Sequence, residues 1–131
     1  MAATIRWLTQ AGTHTADNRD AFAHATQARA SVYLIADGSS SHPRSGEQAQ
    51  ALLNELTTGF SQLPMAELKP EQLADELLRL IARSHQMLRD DFPLAACSYL
   101  VLCLLPDTVF TVHEGDCCLG AIEHDGEIRW L

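Results

Sequence analysis

Three acidic loops contain the residues whose types and spacing could carry chemistry. Asp17 and Asp20 lie in "HTADNRDAF", Asp37 directly follows the apolar run "VYLIA", and Glu114 and Asp116 lie in "VHEGDCC". Carboxylates at the ends of separate strands can converge, and Mg²⁺ and Mn²⁺ take carboxylate, carbonyl and water oxygens as ligands. The loops therefore indicate a divalent cation site, although an Asp-Gly pair after a strand is also ordinary turn chemistry.

The spacing of apolar residues predicts the strands and helices that must position these loops. Strands are predicted at "TIRWLTQAG", "DAFAHA" and "SVYLIA", and, after two helices, at "SYLVLCLL", "TVFTVH", "CLGAIE" and "EIRW". Ser45 is expected to cap the first helix and Pro70 to begin the second. Asp125-Gly126 is typical of a hairpin turn. The order β-β-β-α-α-β-β-β-β predicts an α+β fold in which helices cover an antiparallel sheet.

Apolar residues recur at helical spacing in both predicted helices, and we expect them in the core. They are Ala49, Leu52, Leu53, Leu56, Phe60 and Leu63 in the first helix and Leu73, Leu77, Leu80, Ile81 and Leu88 in the second.

Composition and charge narrow the class of protein. The 131 residues are 47% hydrophobic and 20% charged, which predicts one globular domain over residues 1–131. The formal net charge of −8 argues against nucleic acid or an anionic membrane as a partner, because each would require a basic surface. The N-terminus lacks the pattern of a signal peptide, and no apolar run approaches the roughly 18 residues of a membrane helix. With four cysteines and no secretory signal, we expect a cytoplasmic protein with reduced thiols.

Four segments in succession resemble one known family. They are "TQAGTHTADNRDAF", "VYLIADGSSSHPRSGEQAQALL", "CSYLVLCLL" and "FTVHEGDCCLGAIEHDGEIRWL", which together cover nearly the whole chain. In their order and spacing they are similar to the N-terminal half of the type 2C (PPM-type) metal-dependent serine/threonine protein phosphatases. The resemblance implies an antiparallel β-sandwich flanked by a helical hairpin, incomplete in this chain. It also implies a signalling hydrolase that cleaves phosphoserine and phosphothreonine in proteins with a metal-activated water.

The resemblance also implies site residues. Asp20 and Asp37 would be catalytic as ligands of two Mg²⁺ or Mn²⁺ ions, and Asp37 would bridge them. The carbonyl of Gly38 and the carboxylate of Asp116 would complete this chain's share of the metal site.

Two positions depart from the family pattern near the expected substrate site. Arg19 stands where the family usually has an acid, and Thr15 stands where an arginine usually grips the substrate phosphate. His14 and Arg19 are therefore candidates for contacting the substrate in place of that arginine. His42, in the serine-rich loop, is a further candidate, although the alternative is that it is solvated in that loop.

These departures leave two functions open. One is a metal-dependent phosphatase whose N-terminal half this chain carries. The other is a catalytically inactive pseudophosphatase that acts as a binding or regulatory module. An incomplete sandwich would also leave sheet faces and edges exposed, which predicts self-association.

Overall fold

The computed structural model describes residues 4–131, so the first three residues of the segment used to exclude a signal peptide lie outside it. Its elements in chain order are β1 (Asp20–Gln27), β2 (Ala30–Gly38), α1 (Ser45–Ser61), α2 (Pro70–Leu88), β3 (Cys97–Leu104), β4 (Val109–Glu114), β5 (Gly120–Ile122) and β6 (Ile128–Trp130).

The first four strands form one antiparallel sheet in the order β1-β2-β3-β4, and β5 pairs with β6 in a separate two-stranded sheet. The predicted α+β arrangement of helices on an antiparallel sheet is confirmed. Strands β1 and β2 are joined by a two-residue turn, because Gln27 pairs with Ala30. Ala28 in that turn has a φ of 49°, a left-handed conformation that residues with a Cβ rarely adopt.

One face of the large sheet and the apolar stripes of the helices form the core. Alternate residues of β2, namely Val32, Leu34 and Ala36, are buried, as are Val101 and Cys103 on the paired positions of β3. The predicted apolar stripes of the two helices are confirmed, because nine of their eleven residues are buried. The other two, Leu63 and Leu88, are partly buried against the core.

The predicted first strand at "TIRWLTQAG" was wrong. Within residues 4–131 the first strand begins at Asp20, and the earlier segment makes no ladder with another strand. Ile5, Trp7 and Leu8 are 41%, 39% and 90% exposed, so their alternation does not reflect a buried sheet face. Trp7 instead stacks on Phe22 of β1, with the ring centroids 5.1 Å apart.

The predicted cap of α1 was also misplaced by one residue. Ser45 is the first helical residue and Arg44 is the N-cap residue, which makes no side-chain cap hydrogen bond. The buried Ser45 hydroxyl accepts a hydrogen bond of 3.3 Å from the Ala96 backbone N–H, so it joins the helix start to the approach to β3. Pro70 does begin α2, as predicted.

The predicted turn at Asp125-Gly126 is confirmed, because it connects β5 to β6. Gly126 has a φ of 86°, and its N–H donates to the Glu123 carbonyl at 3.0 Å. The Asp125 carboxylate accepts from the Glu127 N–H at the same distance. Among the helices of residues 4–131, neither combines the length and the apolar character needed to cross a membrane.

Candidate functional site

The register of the β1–β2 hairpin brings two acidic residues together at its open end. Asp20 is the first residue of β1 and pairs directly with Asp37 of β2. Side chains of directly paired residues lie on the same face of a sheet, so both carboxylates lie on one side. Burial raises the pKa of Asp37, and the negative charges of Asp20 and Asp116 raise it further. Two further carboxylates, those of Asp20 and Asp116, are therefore close enough to Asp37 to raise its pKa.

Asp20 is held by a small hydrogen-bond network from the preceding segment. The Thr9 hydroxyl donates to Asp20 Oδ2 at 2.6 Å, and the Asn18 side-chain amide donates to Thr9 Oγ1 at 2.9 Å. Asn18 Oδ1 also accepts from the Asp20 backbone N–H at 3.1 Å. These bonds fix the direction of one carboxylate oxygen and leave the other free of this network.

Gly38 is confined by backbone on two sides. Its N–H donates to the Arg19 carbonyl at 3.0 Å. A Cβ at this position would lie 2.7 Å from the carbonyl carbon and oxygen of Ser45 and 2.9 Å from the Arg19 carbonyl oxygen. Only glycine permits so close an approach of strand, helix start and preceding loop. The backbone that follows Asp37 is therefore fixed in place.

A cavity of about 560 Å³ opens beside this hairpin end. Six of the seven predicted site residues line it: His14, Arg19, Asp20, Asp37, Gly38 and Asp116. In the part of the chain that the structure describes, His42 is not among the lining residues. Its Nδ1 accepts a hydrogen bond of 3.1 Å from the Arg44 backbone N–H, which holds the ring at the turn into α1. The structure therefore does not bring His42 to the site as predicted.

Arg19 lies under the loop that follows β2. Its side chain is only 12% exposed, and its Nε donates to both carboxylate oxygens of Asp17 at 3.1 Å. Its Nη1 donates to the carbonyl oxygens of Ser39 and His42 at 3.1 and 2.8 Å. The hydrogen bond from Arg19 holds the pKa of Asp17 below its usual value. Most of the guanidinium is thus engaged within the protein.

Sequence reasoning missed several residues that form the site. Thr9 and Asn18 orient Asp20, and Cys97 and Ser98 at the start of β3 line the cavity. Cys97 and Ser98 lie at the site because Gly38 of β2 pairs with Cys97 of β3. Neither strand's sequence on its own reveals how the two strands pair. Burial raises the pKa of the Cys97 thiol to about 11, so this cysteine is a weak nucleophile at neutral pH.

The donor set suits a hard cation but does not enclose one. Asp20, Asp37 and the Gly38 carbonyl offer oxygens, and an unbalanced group of carboxylates is what a divalent cation would neutralise. Over residues 4–131, no three His, Cys, Asp or Glu side chains converge closely enough to hold a metal ion by themselves. Water or further oxygen ligands would have to complete the shell, as Mg²⁺ commonly allows. The ligand roles of Asp20, Asp37, Gly38 and Asp116 all stay predictions.

Comparison with known proteins gives a family match and structural neighbours. A family model described as protein phosphatase 2C matches residues 11–131. Among curated protein sequences, none matches this chain.

Three solved structures share its fold. They are serine/threonine phosphatases from S. agalactiae (19% identity, TM-score 0.78), Staphylococcus aureus (17%, 0.81) and Mycobacterium smegmatis (21%, 0.68), the last in complex with cacodylate. The alignments cover 95%, 94% and 95% of this chain but only 52%, 50% and 50% of those proteins. The chain therefore spans about half the length of these neighbours.

Proposed function

The chain belongs to the protein phosphatase 2C family, and on that premise we propose that it carries part of the active site of a Mg²⁺- or Mn²⁺-dependent serine/threonine phosphatase. The observation that carries the proposal is the pairing of Asp20 with Asp37 in the lining of a cavity. Two oxygen ligands held by a rigid hairpin are a suitable mount for a cation. The substrates would be phosphoserine and phosphothreonine side chains of proteins.

Each site residue has a defined task in this proposal. Asp20 and Asp37 would hold the cations, and one oxygen of Asp20 is already directed by the Thr9 hydroxyl. Gly38 fixes the backbone after Asp37 and offers its carbonyl as a further ligand. Metal ions bound there would supply an activated water and neutralise charge on the phosphoryl oxygens.

The cavity gives the substrate phosphate a place beside these ligands. Its volume of about 560 Å³ is ample for a phosphorylated side chain. His14 is exposed on its lining and can donate a hydrogen bond to a phosphate oxygen, whereas the engaged guanidinium of Arg19 is less free to do so. The neighbour solved with cacodylate, a tetrahedral oxyanion, is consistent with an anion site in this fold. Asp116 remains in the proposal as an additional acid near Asp37.

Titration calorimetry with Mn²⁺ tests the metal site. Wild-type chain should bind Mn²⁺, and Asp37→Asn should weaken binding about tenfold or more by removing one of the proposed carboxylate ligands. Asp107→Asn is the matched control, because Asp107 is an exposed acid in the β3–β4 turn, at the other end of the sheet from the paired aspartates. Equal loss in both variants would indicate nonspecific attraction of the cation to an acidic chain and would contradict the proposed site.

Hydrolysis tests the proposed reaction separately. The protein should release phosphate from a phosphoserine peptide in the presence of Mn²⁺, with release abolished by Asp37→Asn. The full-length gene product is the appropriate sample, because the chain spans about half of its structural neighbours. Metal binding without any phosphate release from that product would overturn the enzymatic proposal.

The second candidate is an inactive phosphatase-like binding module. The observation that favours it is Arg19, which stands where an acid is expected from the resemblance and binds loop carbonyls instead. This candidate predicts no phosphate release from a phosphoserine peptide whether or not Mn²⁺ binds, whereas the enzyme requires both metal binding and release. The hydrolysis assay therefore discriminates between the two.

The cellular setting completes the proposal. We place the protein in the cytoplasm, where its four free thiols would stay reduced. Self-association stays a prediction, supported by the exposed Ile122, Ile128 and Trp130 of the β5–β6 hairpin. Light scattering of the purified chain would decide it, with a monomer at high concentration as the contrary result.

A further inference from the structure

Arg19 joins two loops that border the site. It lies in the segment before β1, yet its guanidinium reaches across to the loop between β2 and α1, where it binds the carbonyls of Ser39 and His42. Asp17, from its own segment, balances the charge. The guanidinium is suited to this position because its planar fork can donate to several acceptors at once.

The backbone and aliphatic stem of Arg19 are also packed into this junction. Its carbonyl accepts the N–H of Gly38, the residue after Asp37. A Cβ on Gly46 would meet the Cα, Cβ and Cγ atoms of Arg19 at 3.2–3.3 Å, so the first turn of α1 rests on the arginine stem. Arg19 therefore contacts the preceding loop, the end of β2 and the start of α1.

This location connects Arg19 to both predicted metal ligands. Asp20 follows it directly in the chain, and Gly38, bonded to its carbonyl, follows Asp37. Loop carbonyls that lose a buried donor must find water or move, since unsatisfied buried polar groups are costly. A change in the guanidinium would consequently release the Ser39–His42 loop and loosen the backbone beside Asp37.

We propose that Arg19 is a positioning residue that holds the Ser39–His42 loop so that Asp37 and Gly38 keep their place opposite Asp20. This inference rests on the proposed function for its effect on metal binding, but its effect on the loop does not depend on a metal. It replaces the expectation that Arg19 contacts the substrate phosphate. Arg19 acts through the loop and touches no reacting atom.

The test compares Arg19→Lys with Arg44→Lys. Lysine keeps the positive charge at position 19 but cannot bond Asp17 and both carbonyls together. Arg44 is a suitable control because it also binds a carboxylate (Glu47) and a backbone carbonyl (Asp91), yet it does not line the cavity. Asp17→Asn serves as a second variant, since it weakens the ion pair and retains both loop carbonyl bonds.

Hydrogen–deuterium exchange in the absence of metal measures how firmly the backbone amides in and beside the loop are held. In Arg19→Lys we expect the Gly38 and Ser39 amides to exchange about tenfold faster, with Val101 in the centre of β3 unchanged. Arg44→Lys should leave the Gly38 and Ser39 amides at wild-type rates, and Asp17→Asn should change them less than Arg19→Lys does. Unchanged exchange of Gly38 and Ser39, or an equal increase at Val101, would overturn the proposal, because the second result indicates general destabilisation.

Titration with Mn²⁺ measures whether the loosened loop weakens metal binding. The Kd for Mn²⁺ should rise about tenfold in Arg19→Lys and stay at the wild-type value in Arg44→Lys. Loosened amides with an unchanged Mn²⁺ Kd would show that the loop does not position the ligands, and the inference would be wrong. If wild-type protein binds no Mn²⁺, the proposed metal site fails, and amide exchange alone decides whether Arg19 holds the loop.

Discussion

Replacing Gly38 with alanine should disrupt the site through packing alone. The added Cβ would lie 2.7 Å from the backbone of Ser45, whereas ordinary contacts begin at about 3.4 Å, so atoms must separate by about 0.7 Å. The obstructing atoms are backbone of a helix start and of the Arg19 carbonyl, which cannot rotate away as a side chain would. Overpacking of this kind costs about 1–3 kcal/mol, and we expect about 2–3 kcal/mol here.

Urea denaturation followed by circular dichroism measures this change. The free energy of unfolding should fall by about 2–3 kcal/mol, and Tm should fall by about 6–12 °C in a chain of this size. Gly12→Ala is the matched control, because Gly12 lines the same cavity and a Cβ there meets nothing within 4 Å. The Kd for Mn²⁺ should rise in the Gly38 variant only. Stability within about 0.5 kcal/mol of wild type for both variants would refute the argument from close packing.

Three further predictions concern charge, thiols and core. Burial and nearby acids raise the pKa of Asp37 in the folded protein above its ordinary value of 3.8. The protonated Asp37 therefore adds to the free energy of unfolding below pH 3.8, and this contribution is lost as the pH rises through the raised pKa. Metal-free Asp37→Asn should therefore gain stability relative to wild type between pH 3.5 and 7 in urea titrations, and a pH-independent difference would contradict this. Cys103, whose pKa burial raises to about 11, is only about 0.1% thiolate at pH 8, so mass spectrometry should find exposed Cys118 alkylated first; faster labelling of Cys103 would contradict its burial. Leu53→Ala should cost about 2–5 kcal/mol and Leu78→Ala, at an exposed position, under about 0.5 kcal/mol; similar losses in denaturation would mean that the core is misassigned.

The sequence predicted the helices and the later strands because their signals are local. The leucine stripes of both helices repeat at the spacing of one buried face, and the Asp125-Gly126 turn specifies its own conformation. The segment at 4–12 failed because its alternation is only half of what a strand requires. A strand also requires a neighbouring strand with which to form a hydrogen-bond ladder, and the sequence of the segment does not show whether such a neighbour exists.

The acidic residues of the candidate site could be identified from the sequence, but the residues that hold them in place could not. Asp20 and Asp37 stand at the ends of strands whose apolar patterns are visible in the sequence, and that position marks them as candidates. Arg19 was proposed as a substrate contact because it lies near the position of the family's phosphate-binding arginine. Its acceptors, the carbonyls of Ser39 and His42, are 20 and 23 residues away in the sequence. Backbone carbonyls are present at every residue, so no sequence pattern could distinguish these two.

The register of the β1–β2 hairpin limits how the gene can change in length. Asp20 meets Asp37 because the residues between them fold back evenly about the two-residue turn at Ala28, about 24 Å from the acids. Inserting or deleting one codon within positions 21–36 would shift the pairing and turn one carboxylate to the opposite face of the sheet. Codons can be added in the loop before Asp20 without this effect. The spacing between the two aspartates is therefore the part of this sequence in which a length polymorphism should abolish metal binding, even if the protein still folds.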